Sequence, residues 1–120
     1  MSGRSRALLE EHVAAFNAHD TARVLAGFAP DAEWITGADR FAGRAELAGL
    51  FDAWLWGLEP HLEIGLVVAD DVAAAARLRE TLTHEGRPRS FDIAVVLEFA
   101  GGLIRRGQVY RAGSADLSGP

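Results

Sequence analysis

Apolar residues recur along this chain at two different periods, and the change falls near Pro60. Before it the spacing is helical. Leu8, Leu9, Val13 and Phe16 share one face of a 3.6-residue repeat while Glu10, Glu11 and Asn17 fall elsewhere, which predicts a helix over 5–18 with Ser5 as its N-cap. Asp20 can cap a second, short helix through Val24, Leu25 and Phe28. Pro30 limits it, because the residue before a proline avoids helical geometry. Residues 32–36 predict a strand, 37–43 a loop, and 44–58 a third helix carrying Leu47, Leu50, Phe51 and Trp54 at i, i+3, i+4 and i+7. Gly57 and Pro60 mark its end.

After Pro60 the period becomes two. Strands are predicted over 62–69, 73–84, 90–99 and 103–111, separated by turns at Asp70-Asp71, at 85–88 and at Gly101-Gly102. Phe91, Ile93, Val95, Leu97 and Phe99 share one face of the third of these strands. Residues 112–120 are small and polar and predict a frayed tail. Helices followed by a meander of long strands predict an α+β fold in one domain over 1–120, with an ordered core of about 5–111. The expected shape is a cone: three N-terminal helices packed on a strongly curved, mainly antiparallel sheet, enclosing an apolar cavity.

Composition removes several classes of function. The absence of cysteine excludes disulfides, thiolate chemistry and cysteine metal sites. Net charge is −5, every basic residue is arginine and no basic stretch exists, so neither nucleic acid nor an anionic membrane is an expected partner. No apolar run approaches the roughly 20 residues that span a bilayer, and the first residues lack a signal-peptide core, so a cytoplasmic location is expected. Histidines 12, 19, 61 and 84 have no metal-ligand spacing, and neither a G-x-S-x-G elbow nor a nucleotide-binding glycine motif is present. No metal and no cofactor is expected.

Chemistry is suggested by two polar residues on apolar faces. In 73–84, Ala74, Ala76, Leu78 and Leu82 share one parity, and Glu80 falls among them. A carboxylate there sits in a pocket, where it suits general acid or base work, or it ends in an arginine pair; a bulge that flips the register is the third possibility. His12 lies between Leu8 and Phe16 on the face that meets the sheet, either as a proton-exchanging partner of Glu80 or as a hydrogen-bonded histidine at a pocket rim. Glu80 and His12 are therefore the catalytic candidates. Phe16, Trp34, Thr36, Phe51, Trp54, Leu82, Val95 and Val109 are expected to shape a site for a small apolar molecule, with core packing as the other reading of the aromatics. Arg105 and Arg111 reach either the cavity mouth, to hold an anionic or enolate oxygen, or solvent; Trp56 is read as exposed or at a subunit contact.

Several strings carry a family likeness. Residues 13–20 (VAAFNAHD), 28–34 (FAPDAEW), 41–44 (FAGR) and 99–104 (FAGGLI), with the order of elements, resemble the nuclear transport factor 2-like superfamily, in its branch of SnoaL-like polyketide cyclases and ketosteroid isomerases. The likeness spans about 5–111 and speaks to fold more than to activity. Residue by residue, the isomerases' aspartate base corresponds to Thr36, their protonated acid to Val95 and their tyrosine donor to His12, so the isomerase mechanism is not implied. The aspartate–arginine–aspartate set of an epoxide-opening branch has no clear counterpart, since Asp92 falls on the outward parity. What the resemblance does imply is a cofactor-independent cyclase, isomerase or hydrolase, or a non-catalytic binding module. It also implies a homodimer formed through the outer sheet face, where Ala94 and Val96 stand among Asp92 and Glu98.

Overall fold

The computed structural model describes residues 2–112. Helix α1 (Ser2–Asn17) begins three residues earlier than the spacing predicts, so Ser5 is not its N-cap but lies within it. Ser5, Leu9, His12, Val13 and Phe16 form its buried stripe. Its end is fastened to the sheet by Asn17, whose Nδ2 donates to the Leu62 carbonyl at 2.9 Å and whose Oδ1 accepts from the Leu62 amide at 2.7 Å. Helix α2 (Thr21–Ala26) is capped as expected, Asp20 Oδ1 accepting the Arg23 amide at 3.1 Å.

Strand β1 (Phe28–Thr36) starts before Pro30 rather than after it, so Phe28 belongs to the sheet and not to α2. A proline lacks the ladder donor, and β1 tolerates it because its pairing is interrupted between Phe28 and Glu33. The predicted loop at 37–43 contains a short strand, β2 (Asp39–Ala42), turned back on β1 through Gly37 at φ +60°. Helix α3 (Gly43–Ala53) stops five residues short of expectation. The chain breaks at Trp54 and continues as a 3-10 turn over Leu55–Leu58. Strands β3 (His61–Ala69), β4 (Ala73–His84), β5 (Arg87–Ala100) and β6 (Leu103–Arg111) follow the predicted meander.

The six strands make one sheet in the order β2-β1-β6-β5-β4-β3. All neighbours run antiparallel except β1 and β6, which are parallel. Irregularities at Ile64/Leu66 and at Glu98/Phe99 add a residue to β3 and to β6, and such bulges bend a strand and increase its twist. Helix α1 packs on β3 and β4, and α3 packs on β1. The core between these layers joins Leu9, Val13 and Phe16 to Leu47, Leu50 and Phe51, and to the inward rows of β4 and β5. Gly107 is required at its place in β6: a Cβ there would lie 2.3 Å from Trp34 Cζ3, so the indole occupies the space a side chain would take. Among the described residues, no helix is long and apolar enough to cross a membrane.

Candidate functional site

A cavity of about 980 Å³ opens between α1, α3 and the inner face of the sheet. Its walls are mainly apolar, from Phe16, Leu50 and Phe51 on the helices to Leu62, Leu78, Ile93 and Val95 on the strands. Strict alternation in β4 carries Glu80 to this inner face, where only 3% of it is exposed. The carboxylate is not alone. Arg111, on the inward side of β6 opposite Ile93, donates from Nη2 to Glu80 Oε1 at 3.2 Å and from Nη1 to Thr36 Oγ1 at 2.9 Å. Three strands, β1, β6 and β4, thus supply one polar group at the cavity wall. Glu80 Oε2 has no such partner among the described residues, which leaves one oxygen for a ligand or water.

His12 lines the same cavity, but no hydrogen bond joins it to Glu80 among the described residues. Its ring packs edge-on to Phe28 and tilted against Trp34, each at 5.7 Å between centroids, and Nδ1 is buried without a partner. Burial drives its pKa down from the usual 6.5 to about 4, so the imidazole is neutral at physiological pH. The expected pairing of His12 with Glu80 is therefore replaced by Glu80 with Arg111.

Phe16, Trp34, Thr36, Phe51, Val95 and Val109 all line the cavity, and Trp54 stands at its mouth, half exposed at the break after α3. Two expected residues do not line it. Leu82 is buried but belongs to the packed core beyond the cavity wall. Arg105 is the extra residue of the β6 irregularity, so it points outward and pairs with Glu98 at 3.1 Å. Trp56 is half-buried rather than exposed: it stacks on His19 and Phe51, and its Nε1 donates to Thr21 Oγ1 at 2.8 Å. Arg111 itself had a signal in the sequence, because it stands two residues beyond Val109 and so shares its inward parity. The mouth residues Asp39, Arg40, Phe41, Glu46 and His84 had none, since they come from a strand without alternation and from the ends of other elements.

The SnoaL-like domain family matches residues 9–107. The chain belongs to that family. The SnoaL-like fold recurs in solved structures of low identity, which speak to architecture alone. A proposed ketosteroid isomerase from Kribbella flavida is 21% identical, with a TM-score of 0.82, covering 96% of this chain and 82% of that one. A proposed polyketide cyclase from Xanthomonas campestris is 22% identical with a TM-score of 0.83, covering 91% and 90%. A Methylobium petroleophilum protein of cystatin-like fold and unknown function is 22% identical with a TM-score of 0.82, covering 97% and 80%. No curated protein matches the chain.

Proposed function

We propose that this SnoaL-like chain is a cofactor-independent enzyme, of cyclase, isomerase or hydrolase type, that moves a proton on a small, apolar, ring-bearing molecule inside a cone of sheet and helices. The observation that carries this is Glu80: a carboxylate almost wholly removed from water, on an apolar wall, fixed through Oε1, with no hydrogen bond to its other oxygen among the described residues. Held in one orientation by Arg111, it is a proton acceptor that does not have to reorganise when substrate arrives. His12 faces the same space as a neutral group. Leaving a lone pair without a partner is a lesser defect than leaving an N–H so, which assigns the proton to Nε2 rather than to the orphaned Nδ1. That tautomer is a hydrogen-bond donor to a ligand oxygen.

The test is deuterium exchange from solvent into a panel of bicyclic ketones such as 2-tetralone, followed by NMR. Glu80→Gln, which keeps shape and removes the base, is expected to slow exchange by about 10²-fold or more. Equal rates in the two proteins would sink the catalytic reading. Ketones bound but never exchanged would favour a binding module, the alternative that Thr36 and Val95, in place of the isomerase acids, support.

The same reading includes a homodimer seated on the outer face of the sheet. There Tyr110 on β6 and Leu66 and Val68 on β3 are exposed, with Ala94 and Val96 on β5, one of the two strands between them. Light scattering at micromolar concentration is expected to give twice the chain mass of 12.9 kDa, and a monomer mass removes this part.

A further inference from the structure

The charges around the cavity are arranged in a way that bears on which molecules it admits. Among the described residues, five formally charged side chains line it: the carboxylates Asp39, Glu46 and Glu80 and the guanidinium groups of Arg40 and Arg111. Both cations are already charge-matched. Arg40 is turned to Glu33, outside the lining, in an ion pair. Arg111 gives one N–H to Glu80 and one to Thr36, and its charge is matched by the Glu80 carboxylate. His12 is neutral and supplies no charge. His84, at the mouth, is half-buried. The inner end of the cavity is therefore electrically compensated, and the mouth, with Asp39 and Glu46, leans negative.

We infer that the cavity selects uncharged ring compounds over their carboxylates, because among the described residues both cations that line it are already matched, Arg111 by Glu80 and Arg40 by Glu33. This rests on the cavity being the ligand site proposed above. A bound carboxylate would have to leave water, pass Asp39 and Glu46, and come to rest beside the Glu80 carboxylate. Arg111, its charge already matched by Glu80, offers little net attraction in return. An ester or ketone loses far less hydration and can accept a hydrogen bond from His12. The compensated pair is thus a specificity filter as well as the holder of the base. Removing the charge on Glu80 should turn it into the opposite filter, since Arg111 would then be an unmatched cation in an apolar wall.

The experiment compares two probes of one shape, methyl 2-naphthoate and 2-naphthoate, by calorimetry and by quenching of Trp34 and Trp54 fluorescence at pH 7.5. The intact protein is expected to bind the ester at least about tenfold more tightly than the acid, a difference of about 1.4 kcal/mol. In Glu80→Gln the preference is expected to shift toward the acid by about tenfold or more. Equal or tighter binding of naphthoate by the intact protein overturns the inference, and so does failure of both probes to bind at millimolar concentration. An unshifted ratio in a folded Glu80→Gln overturns the role given to Glu80. Should that variant not fold, the comparison in the intact protein decides alone. No turnover is read, so an inactive protein that prefers the ester refutes the enzyme reading and leaves this one standing.

Discussion

Arg111→Leu is expected to lower the free energy of unfolding by about 3 kcal/mol, a large share of the stability of a domain this size. The cause is not the lost ion pair as such. Glu80 is buried, and its charged partner among the described residues is the guanidinium 3.2 Å away, so truncation strands a carboxylate in an apolar wall. The figure is set at the low end of what a fully buried pair would give, because the Arg111 side chain is about a quarter exposed and water can reach what it leaves behind. Glu80→Leu made in the same background should recover most of the loss, since two apolar residues pack where two charges stood. Urea titration of the four proteins of the cycle measures the coupling. If Arg111→Leu costs no more than a surface substitution, the Glu80–Arg111 bond is not what holds the carboxylate in place.

Stability is also expected to fall by about 3 kcal/mol as the pH is lowered from 6.5 to 4, and His12 is the reason. In the unfolded chain its imidazole takes a proton near pH 6.5; in the fold, burial holds it neutral until about 4. Above 6.5 both states are neutral and His12 imposes no penalty. Below it the unfolded state alone gains the proton, so each pH unit costs up to about 1.4 kcal/mol until the folded ring titrates. Glu11, lowered chiefly by its hydrogen bond from Arg23, and Asp70, lowered by the amides of Val72 and Ala73, act in the opposite window. Their contributions persist above the ordinary carboxylate range and disappear only in stronger acid. Denaturant titrations between pH 7.5 and 4.5 should therefore show the decline in the natural protein and a much flatter profile in His12→Phe. Equal slopes in the two would remove His12 as the cause.

What the sequence made legible follows from where a period is strict. In β4 the alternation is unbroken from Ala73 to His84, and it placed Glu80 on the inner face correctly. In β6 it is not. The extra residue opposite Glu98/Phe99 moves Ile104 and Gly107 to the same side, so a count by twos from either end of the strand fails at Arg105. Trp54 continues the helical spacing of α3 perfectly well, yet the helix ends before it. Its neighbours form a 3-10 turn in which Trp56 finds His19 and the Thr21 hydroxyl, contacts of tertiary origin that no local window contains. The partner of Glu80 lay out of reach for the same reason: spacing says which way a carboxylate points but not what meets it there. Residues from 113 onward, expected as a frayed tail, lie outside the described residues.

The parallel pairing of β1 with β6 also sets an order of events in time. Every other strand finds its neighbour through a connection of a few residues, whereas Thr36 waits for Val109 and for Arg111, which stands 75 positions away. Contacts so distant along the chain carry the heaviest loop-closure penalty and form late on the folding route. During synthesis, α1, α2 and the β1–β2 hairpin emerge first and must keep an unpaired edge of β1 until the last strand has left the ribosome. The polar end of the cavity is thus among the last parts of this molecule to come into being. Until then Glu80 and Thr36 lie on separate pieces of chain, with nothing yet between them.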